Sequence, residues 1–317
     1  MKIVVADTYA ALPGDIDWSG LDELGECSFY PRTKKGELPE RAKDAELLLI
    51  NKTFVTEEDI KQMPKLKYIG VMSTGTNTVD IEAAKQRGIV VTHIPQYSTD
   101  SVAQMAISHM LNIAMPVARF DKNVKEGIWR KDYENVIKEL HQIELHGRTL
   151  AIVGLGAIGS KVAEIANAIG MKIIAHTSKK QEELPAYITK VETLEELFQK
   201  ADILSLHCPL NTKTQNIASK ERIALMKPTA ILINVSRGGL VDEEALAEAL
   251  NSNKLYAAGL DVLENEPPTE NDPLCKARNC FITPHMGWYT KEAIKRYTEI
   301  LKQNVKAFIQ GKPINMV

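Results

Sequence analysis

Three side chains in the second half of the chain complement one another chemically: Arg237, Glu266 and His285. Each lies just beyond a short apolar run that reads as a strand, at 230–234, 256–260 and 280–283 respectively. In an open parallel sheet, ligands bind at the carboxyl ends of the strands, so all three fall on the ligand-binding edge. A planar guanidinium can grip a carboxylate through two hydrogen bonds and polarise a carbonyl next to it. An imidazole can deliver a proton to the carbonyl oxygen, and a neighbouring carboxylate can hold that ring oriented and charged. Asp261, the first residue after 256–260, reads as support for the group. Singly, each has a plain structural explanation: a solvated arginine, a turn aspartate, an exposed glutamate, a structural histidine. Together they can protonate a carbonyl held beside a carboxylate. What they lack is a source of hydride.

That source is suggested by 150–180, which reads LAIVGLGAIGSKVAEIANAIGMKIIAHTSKK. An apolar run leads into Gly154, Gly156 and Gly159, and then Ile158, Val162, Ile165, Ala166 and Ile169 recur at helical spacing. Gly170 closes the helix and a second apolar strand follows, giving one βαβ unit. The first glycine permits a tight turn, the second lets a pyrophosphate approach the backbone, and the third lets helix and strand pack closely. The helix start at Ala157 and Ile158 then offers free N–H groups to phosphate. A glycine-rich turn of another α/β protein is the alternative, but the flanking strand and helix favour dinucleotide binding.

The remaining elements must bring these residues to one edge. Runs at 2–6, 47–50, 68–72 and 89–92 read as strands and those at 57–63 and 79–87 as helices, a parallel α/β domain in its own right. Ser73-Thr74-Gly75-Thr76-Asn77 lies where a strand feeds a helix and could hold a small anion; an ordinary βα turn reads equally well. A helix is predicted over 102–117, with Ser98, Thr99 and Asp100 as candidate N-caps. The stretch 119–146 fits neither periodicity and, with Trp129 and Tyr133, reads as a dimerisation arm or as a surface loop. Further on, strands alternate with helices, and His207-Cys208-Pro209 and Val235-Ser236 join the same strand-end edge. A final amphipathic helix over 291–310 could return to the first domain.

Composition narrows the function classes. A chain of 317 residues with 44% hydrophobic residues is more comfortable as two domains than as one. A formal net charge of -2 with dispersed charges argues against nucleic acid as a partner. No apolar run is long enough to span a bilayer, and MKIVVAD lacks the features of a signal peptide, so a cytoplasmic location is expected. Cys27, Cys208, Cys275 and Cys280 have no zinc spacing and read as reduced thiols; no metal is expected.

In the motifs GLGAIG at Gly154, HCPL at His207, NVSRGGLVDEEAL at Asn234, GLDVLENEPP at Gly259 and TPHMGW at Thr283, the chain resembles the D-isomer-specific 2-hydroxyacid dehydrogenases over essentially its whole length. The resemblance implies two Rossmann-like parallel-sheet domains flanking a cleft, one flavodoxin-like and one doubly wound. Residues 1–98 with 286–317 would form the substrate-binding domain, and 99–285 the NAD(P)-binding domain with the dimerisation arm. It implies Arg237, Glu266 and His285 as the catalytic trio and Ser73, Thr74 and Gly75 as amide donors to the substrate carboxylate. Gly154, Gly156, Ala157, Ile158, Gly159, His207, Cys208, Pro209, Val235, Ser236 and Asp261 are the expected cofactor contacts. Within the family, the stretch from Tyr97 to Gln104 and Trp288, a wall for a small polar substrate, resemble glycerate dehydrogenases, or hydroxypyruvate reductases. A homodimer acting on a small 2-oxo or 2-hydroxy acid is thereby implied.

One departure bears on the cofactor. NAD-preferring members usually end the second strand of the βαβ unit with an acidic residue that binds the ribose hydroxyls, whereas here His176-Thr177-Ser178-Lys179-Lys180 stands. Thr177 and Ser178 can donate to a 2′-phosphate and the lysines can neutralise it, so NADP(H) is expected to be accepted; preference for it is one reading, and solvated lysines with slight selectivity the other. Reduction of glyoxylate or another 2-oxo acid is an alternative. In a different class, so is a dinucleotide-sensing binding protein on the same scaffold, although it would not need the full Arg, Glu and His set.

Overall fold

The computed structural model describes residues 1–10, 16–131, 134 and 142–317. The chain divides into two compact units, 1–98 with 289–317, and 99–288. Each is organised by a parallel sheet.

In the first unit the strands are β1 (Lys2–Val5), β2 (Glu26–Phe29), β3 (Leu47–Ile50), β4 (Tyr68–Val71) and β5 (Val90–Thr92). They pair in the order β2-β1-β3-β4-β5, every pair parallel. This is the flavodoxin-like order. Leu47–Ile50 and Tyr68–Val71 are buried at every residue, as strands covered on both faces must be. The helix Glu57–Lys61 starts at a full capping box between Thr56 and Asp59, and Asp80 caps Ile81–Gln86 through the amide of Ala83. The last helix, Lys291–Ile309, belongs to this unit: Tyr297 Oη donates to the Met72 carbonyl at 3.1 Å and Asn304 Nδ2 to the His93 carbonyl at 2.8 Å.

In the second unit the strands are β6 (Thr149–Val153), β7 (Lys172–His176), β8 (Ile188–Lys190), β9 (Ile203–Leu206), β10 (Ile231–Asn234), β11 (Ala257–Leu260) and β12 (Cys280–Ile282). Their order, β12-β11-β10-β9-β6-β7-β8, is that of a doubly wound sheet with a seventh strand, and it reverses between β6 and β9. Alternation along the strands divides the core. Leu150, Ile152, Ile203, Ile231 and Ile233 join one apolar cluster, and Ala151, Val153, Leu204, Leu206 and Leu232 the other.

The structure corrects two expectations. The helix predicted over 102–117 spans Thr99–Ala114, so Thr99 and Asp100 lie in its first turn rather than capping it. It stops before Pro116, which has no N–H with which to continue it. Among the described residues, the stretch read as irregular begins in the helix Val117–Lys125 and continues into the helix Ile128–Lys131. Tyr133 and much of the proposed arm lie outside the described residues, while Trp129 is 53% exposed.

Among the described residues no helix is long and apolar enough to cross a membrane, and no group of three or more His, Cys, Asp or Glu side chains could hold a metal ion.

Candidate active site

The three glycines of the βαβ turn do three different things. Gly154 has φ +92°, and a Cβ there would lie 2.8 Å from the His207 carbonyl oxygen, so the turns after β6 and β9 meet only because residue 154 has no side chain. Gly156 stands at the N-cap of the helix Ala157–Ala168 and faces open space. At Gly159 a Cβ would overlap the Gly154 carbonyl oxygen. Among the described residues the amides of Gly156, Ala157 and Ile158 donate to no protein acceptor. Free amides at a helix start, beside a glycine that leaves room for close approach, fit the pyrophosphate of a dinucleotide.

The turn after β9 runs from the half-buried His207 and Cys208 to the exposed Pro209. His207 is partly accessible as a residue, yet its Nδ1 is sealed without a partner while Nε2 lies 2.8 Å from Ser205 Oγ. Burial pulls its pKa down to about 4, so the ring is neutral near pH 7. Burial also raises the Cys208 thiol to about 11, which leaves it protonated and a weak nucleophile. Pro209 is exposed at the outer edge of this turn.

After β7, Thr177 is half-buried, and Ser178, Lys179 and Lys180 are exposed. Among the described residues neither lysine ammonium is held in an ion pair. Their amides are tied down, that of Lys179 donating to Thr177 Oγ1 at 3.3 Å and that of Lys180 to Glu183 Oε2 at 2.6 Å.

After β10, Val235 is buried and Ser236 Oγ donates to the Leu206 carbonyl at 2.8 Å. Arg237 is exposed, and among the described residues its guanidinium makes one internal hydrogen bond, to the Ser236 carbonyl at 2.7 Å. A Cβ on Gly238 would overlap the backbone of Leu263 and Glu264. The loop carrying Arg237 and the loop carrying Glu266 therefore touch.

Glu266 and His285 form a direct pair, with Glu266 Oε2 2.6 Å from His285 Nδ1. The other carboxylate oxygen, Oε1, accepts from the Leu263 amide at 3.0 Å, so the glutamate is fixed at both ends. A carboxylate can only accept, so the hydrogen lies on Nδ1 and Nε2 is the nitrogen left to exchange a proton with a ligand. His285 has φ +50°, a left-handed backbone uncommon for a side-chain-bearing residue, and it carries the ring out of the strand direction.

Asp261 is 2% exposed and turned inward. Its Oδ1 accepts from Thr283 Oγ1 at 2.5 Å and from the Met286 amide at 3.1 Å, and its Oδ2 accepts from the Gly287 amide at 2.7 Å. It thus clamps both flanks of His285 through both of its carboxylate oxygens. The Trp288 Nε1 donates to the His285 carbonyl at 3.0 Å and its ring packs on the core of this unit, so it braces the loop that carries His285.

Ser73, Thr74 and Gly75 lie in the other unit. Thr74 Oγ1 donates to the Ile94 carbonyl at 2.9 Å, and the Met72 carbonyl accepts from Asn51 Nδ2 at 2.6 Å, which hold the loop's shape. Among the described residues the amides of Thr74, Gly75 and Thr76 have no protein acceptor.

Residues 107–287 match the D-isomer specific 2-hydroxyacid dehydrogenase family, NAD binding domain. This chain belongs to that family. A hydroxypyruvate reductase of Blautia hydrogenotrophica is 42% identical over 100% of this chain and 99% of its own. Among solved structures, a D-lactate dehydrogenase of Aquifex aeolicus complexed with NAD and lactic acid has TM-score 0.87 and 31% identity, covering 100% of this chain and 99% of that one. An acyclic imino acid reductase in complex with NADPH and D-Arg has TM-score 0.89 and 30% identity, with 100% of both chains covered. As a 2-hydroxyacid dehydrogenase, the chain is an oxidoreductase that uses a nicotinamide cofactor, and the glycine turn and its free amides are the place in this fold that fits one.

Proposed function

We propose that this dehydrogenase reduces hydroxypyruvate to D-glycerate. The observation that carries the reading is the Glu266–His285 pair at 2.6 Å, on the strand-end edge that also carries Arg237 and the glycine turn. When bound, the reduced nicotinamide supplies the hydride gained by the substrate's second carbon. His285 delivers the matching proton from Nε2 to the carbonyl oxygen, and Glu266, fixed by the Leu263 amide, balances the charge of the imidazolium. Arg237, with one internal hydrogen bond, keeps the rest of its planar fork for the substrate's carboxylate and carbonyl. The amides of Thr74 and Gly75 are assigned to the same carboxylate, which their lack of internal acceptors supports.

The cofactor preference follows from the end of β7. Thr177, Ser178, Lys179 and Lys180 supply donors and positive charge where an acidic side chain would repel a 2′-phosphate. NADPH is therefore assigned as an accepted cofactor that serves at least as well as NADH. A homodimer is also proposed, supported by the apolar surface of Val117, Val124, Ile128 and Trp129, each 36–70% exposed.

Steady-state reduction of hydroxypyruvate, glyoxylate and pyruvate, each with NADH and with NADPH, tests the proposal. The reading expects the highest kcat/KM for hydroxypyruvate with NADPH at least as good as NADH. A clear preference for glyoxylate or pyruvate overturns the substrate, and activity with NADH alone overturns the cofactor assignment.

A further inference from the structure

His109 lies in the middle of the helix Thr99–Ala114, 5% exposed, among residues whose evident role is packing. It faces β11 at Gly259, where a Cβ would lie 2.7 Å from the His109 Cβ, so the strand gives up a side chain to admit the ring. Its Nε2 is 3.1 Å from Thr283 Oγ1. Thr283 Oγ1 is in turn 2.5 Å from Asp261 Oδ1, and Asp261 holds the Met286 and Gly287 amides beyond His285.

Counting protons fixes the direction of this chain. Burial lowers the pKa of His109, the nearby Asp261 charge opposing it, so the ring is neutral near pH 7. A carboxylate cannot donate, so the single hydroxyl proton of Thr283 points to Asp261. Thr283 then has only lone pairs for His109, and the ring must donate from Nε2. Hydrogen bonds aligned head to tail polarise one another, and this one ends on a buried carboxylate. Without the histidine donor, the threonine hydroxyl has a competing acceptor in Met105 Sδ at 3.8 Å.

We propose that His109 is a positioning residue for the reaction: acting through Thr283, it locks Asp261 onto the 283–287 loop and so fixes the aim of His285. This inference rests on the reading of His285 as the proton donor. The residue touches neither flank of His285 itself; its effect is transmitted through one hydroxyl and one carboxylate. It also accounts for Gly287, where a Cβ would lie 2.8 Å from Asp261 Oδ2 and would hold the clamp open.

The test compares wild type with His109→Leu, His109→Gln and His109→Asn in the full-length enzyme. Gln places an N–H donor at nearly the reach of Nε2, whereas Asn is equally polar but too short. His109→Leu and His109→Asn should lower kcat about tenfold, the equivalent of one lost hydrogen bond of ~1.4 kcal/mol, while dinucleotide affinity by fluorescence titration stays within about twofold. His109→Gln should recover most of the rate. In a Thr283→Val background His109→Leu should have little further effect, as coupling through one shared hydroxyl requires. Amide hydrogen exchange gives a readout independent of turnover: Met286 and Gly287 should exchange faster in the Leu and Asn variants than in wild type or the Gln variant. Equal exchange and equal kcat in all four proteins, or additive losses in the double variant, would overturn the proposal. A wild-type enzyme that shows the exchange pattern but reduces no 2-oxo acid would instead overturn the catalytic reading of His285.

Discussion

Glu266 meets His285 at 2.6 Å while its second oxygen is held 3.0 Å from the Leu263 amide, so the carboxylate cannot swing away without breaking a backbone contact. The histidine is fixed from the other side as well, through the Trp288 indole on its carbonyl and the Asp261 clamp on its flanks. The ring is thus preorganised before any substrate arrives, which is what efficient proton transfer requires.

Replacing Glu266 by Gln keeps an oxygen near Nδ1 but removes the charge that balances the imidazolium. The expected outcome is a loss in kcat of about 10²-fold, within the usual worth of positioned acid–base groups, with little change in dinucleotide affinity. Stopped-flow reduction alongside cofactor titration measures both.

Arg237→Lys should be far more damaging than a conserved charge suggests. A point ammonium cannot reproduce two parallel hydrogen bonds, so kcat/KM for the 2-oxo acid should fall roughly 10²-fold. Thermal stability should hardly move, because the side chain is exposed and makes one internal hydrogen bond. A fall in Tm of many degrees would show that Arg237 is mainly structural.

Acid should loosen the second unit through His207. Its folded pKa is lowered from 6.5 to about 4 by burial, so between these values the unfolded chain takes up a proton that the folded one refuses. Stability from this group is complete above pH 6.5, declines as pH falls, and levels off below about 4, a loss of roughly 3 kcal/mol at most. His109, also lowered by burial, slopes in the same direction. Urea unfolding at pH 7, 5.5 and 4.5 should therefore show a shallower acid loss in His207→Gln than in wild type.

Much of this arrangement is legible in the residues alone. The glycine spacing at 154–159 and the apolar strands of the second unit carry strong periodic signals, and placing Arg237, Glu266 and His285 after strands follows from the rule for parallel sheets. What escaped is weakly patterned. Glu26–Phe29 and Ile188–Lys190 are short edge strands with exposed residues, so neither alternation nor a continuous apolar run marks them. The inward turn of Asp261 depends on backbone amides of the 283–288 loop and the bracing by Trp288 on the His285 carbonyl, which residue type does not reveal. His109 falls inside the helix predicted over 102–117, with no local feature that sets it apart. Its partner Thr283 is 174 residues away, and no local pattern could connect them.

The most direct test of the central claim is His285→Ala assayed side by side for dinucleotide binding and for hydroxypyruvate turnover. Binding should be retained within about twofold, because the free amides of the glycine turn are untouched, while kcat should fall by at least about 10³-fold for want of a positioned acid. Turnover close to that of wild type would contradict the account, and so would a wild-type protein that binds dinucleotide tightly yet reduces no 2-oxo acid.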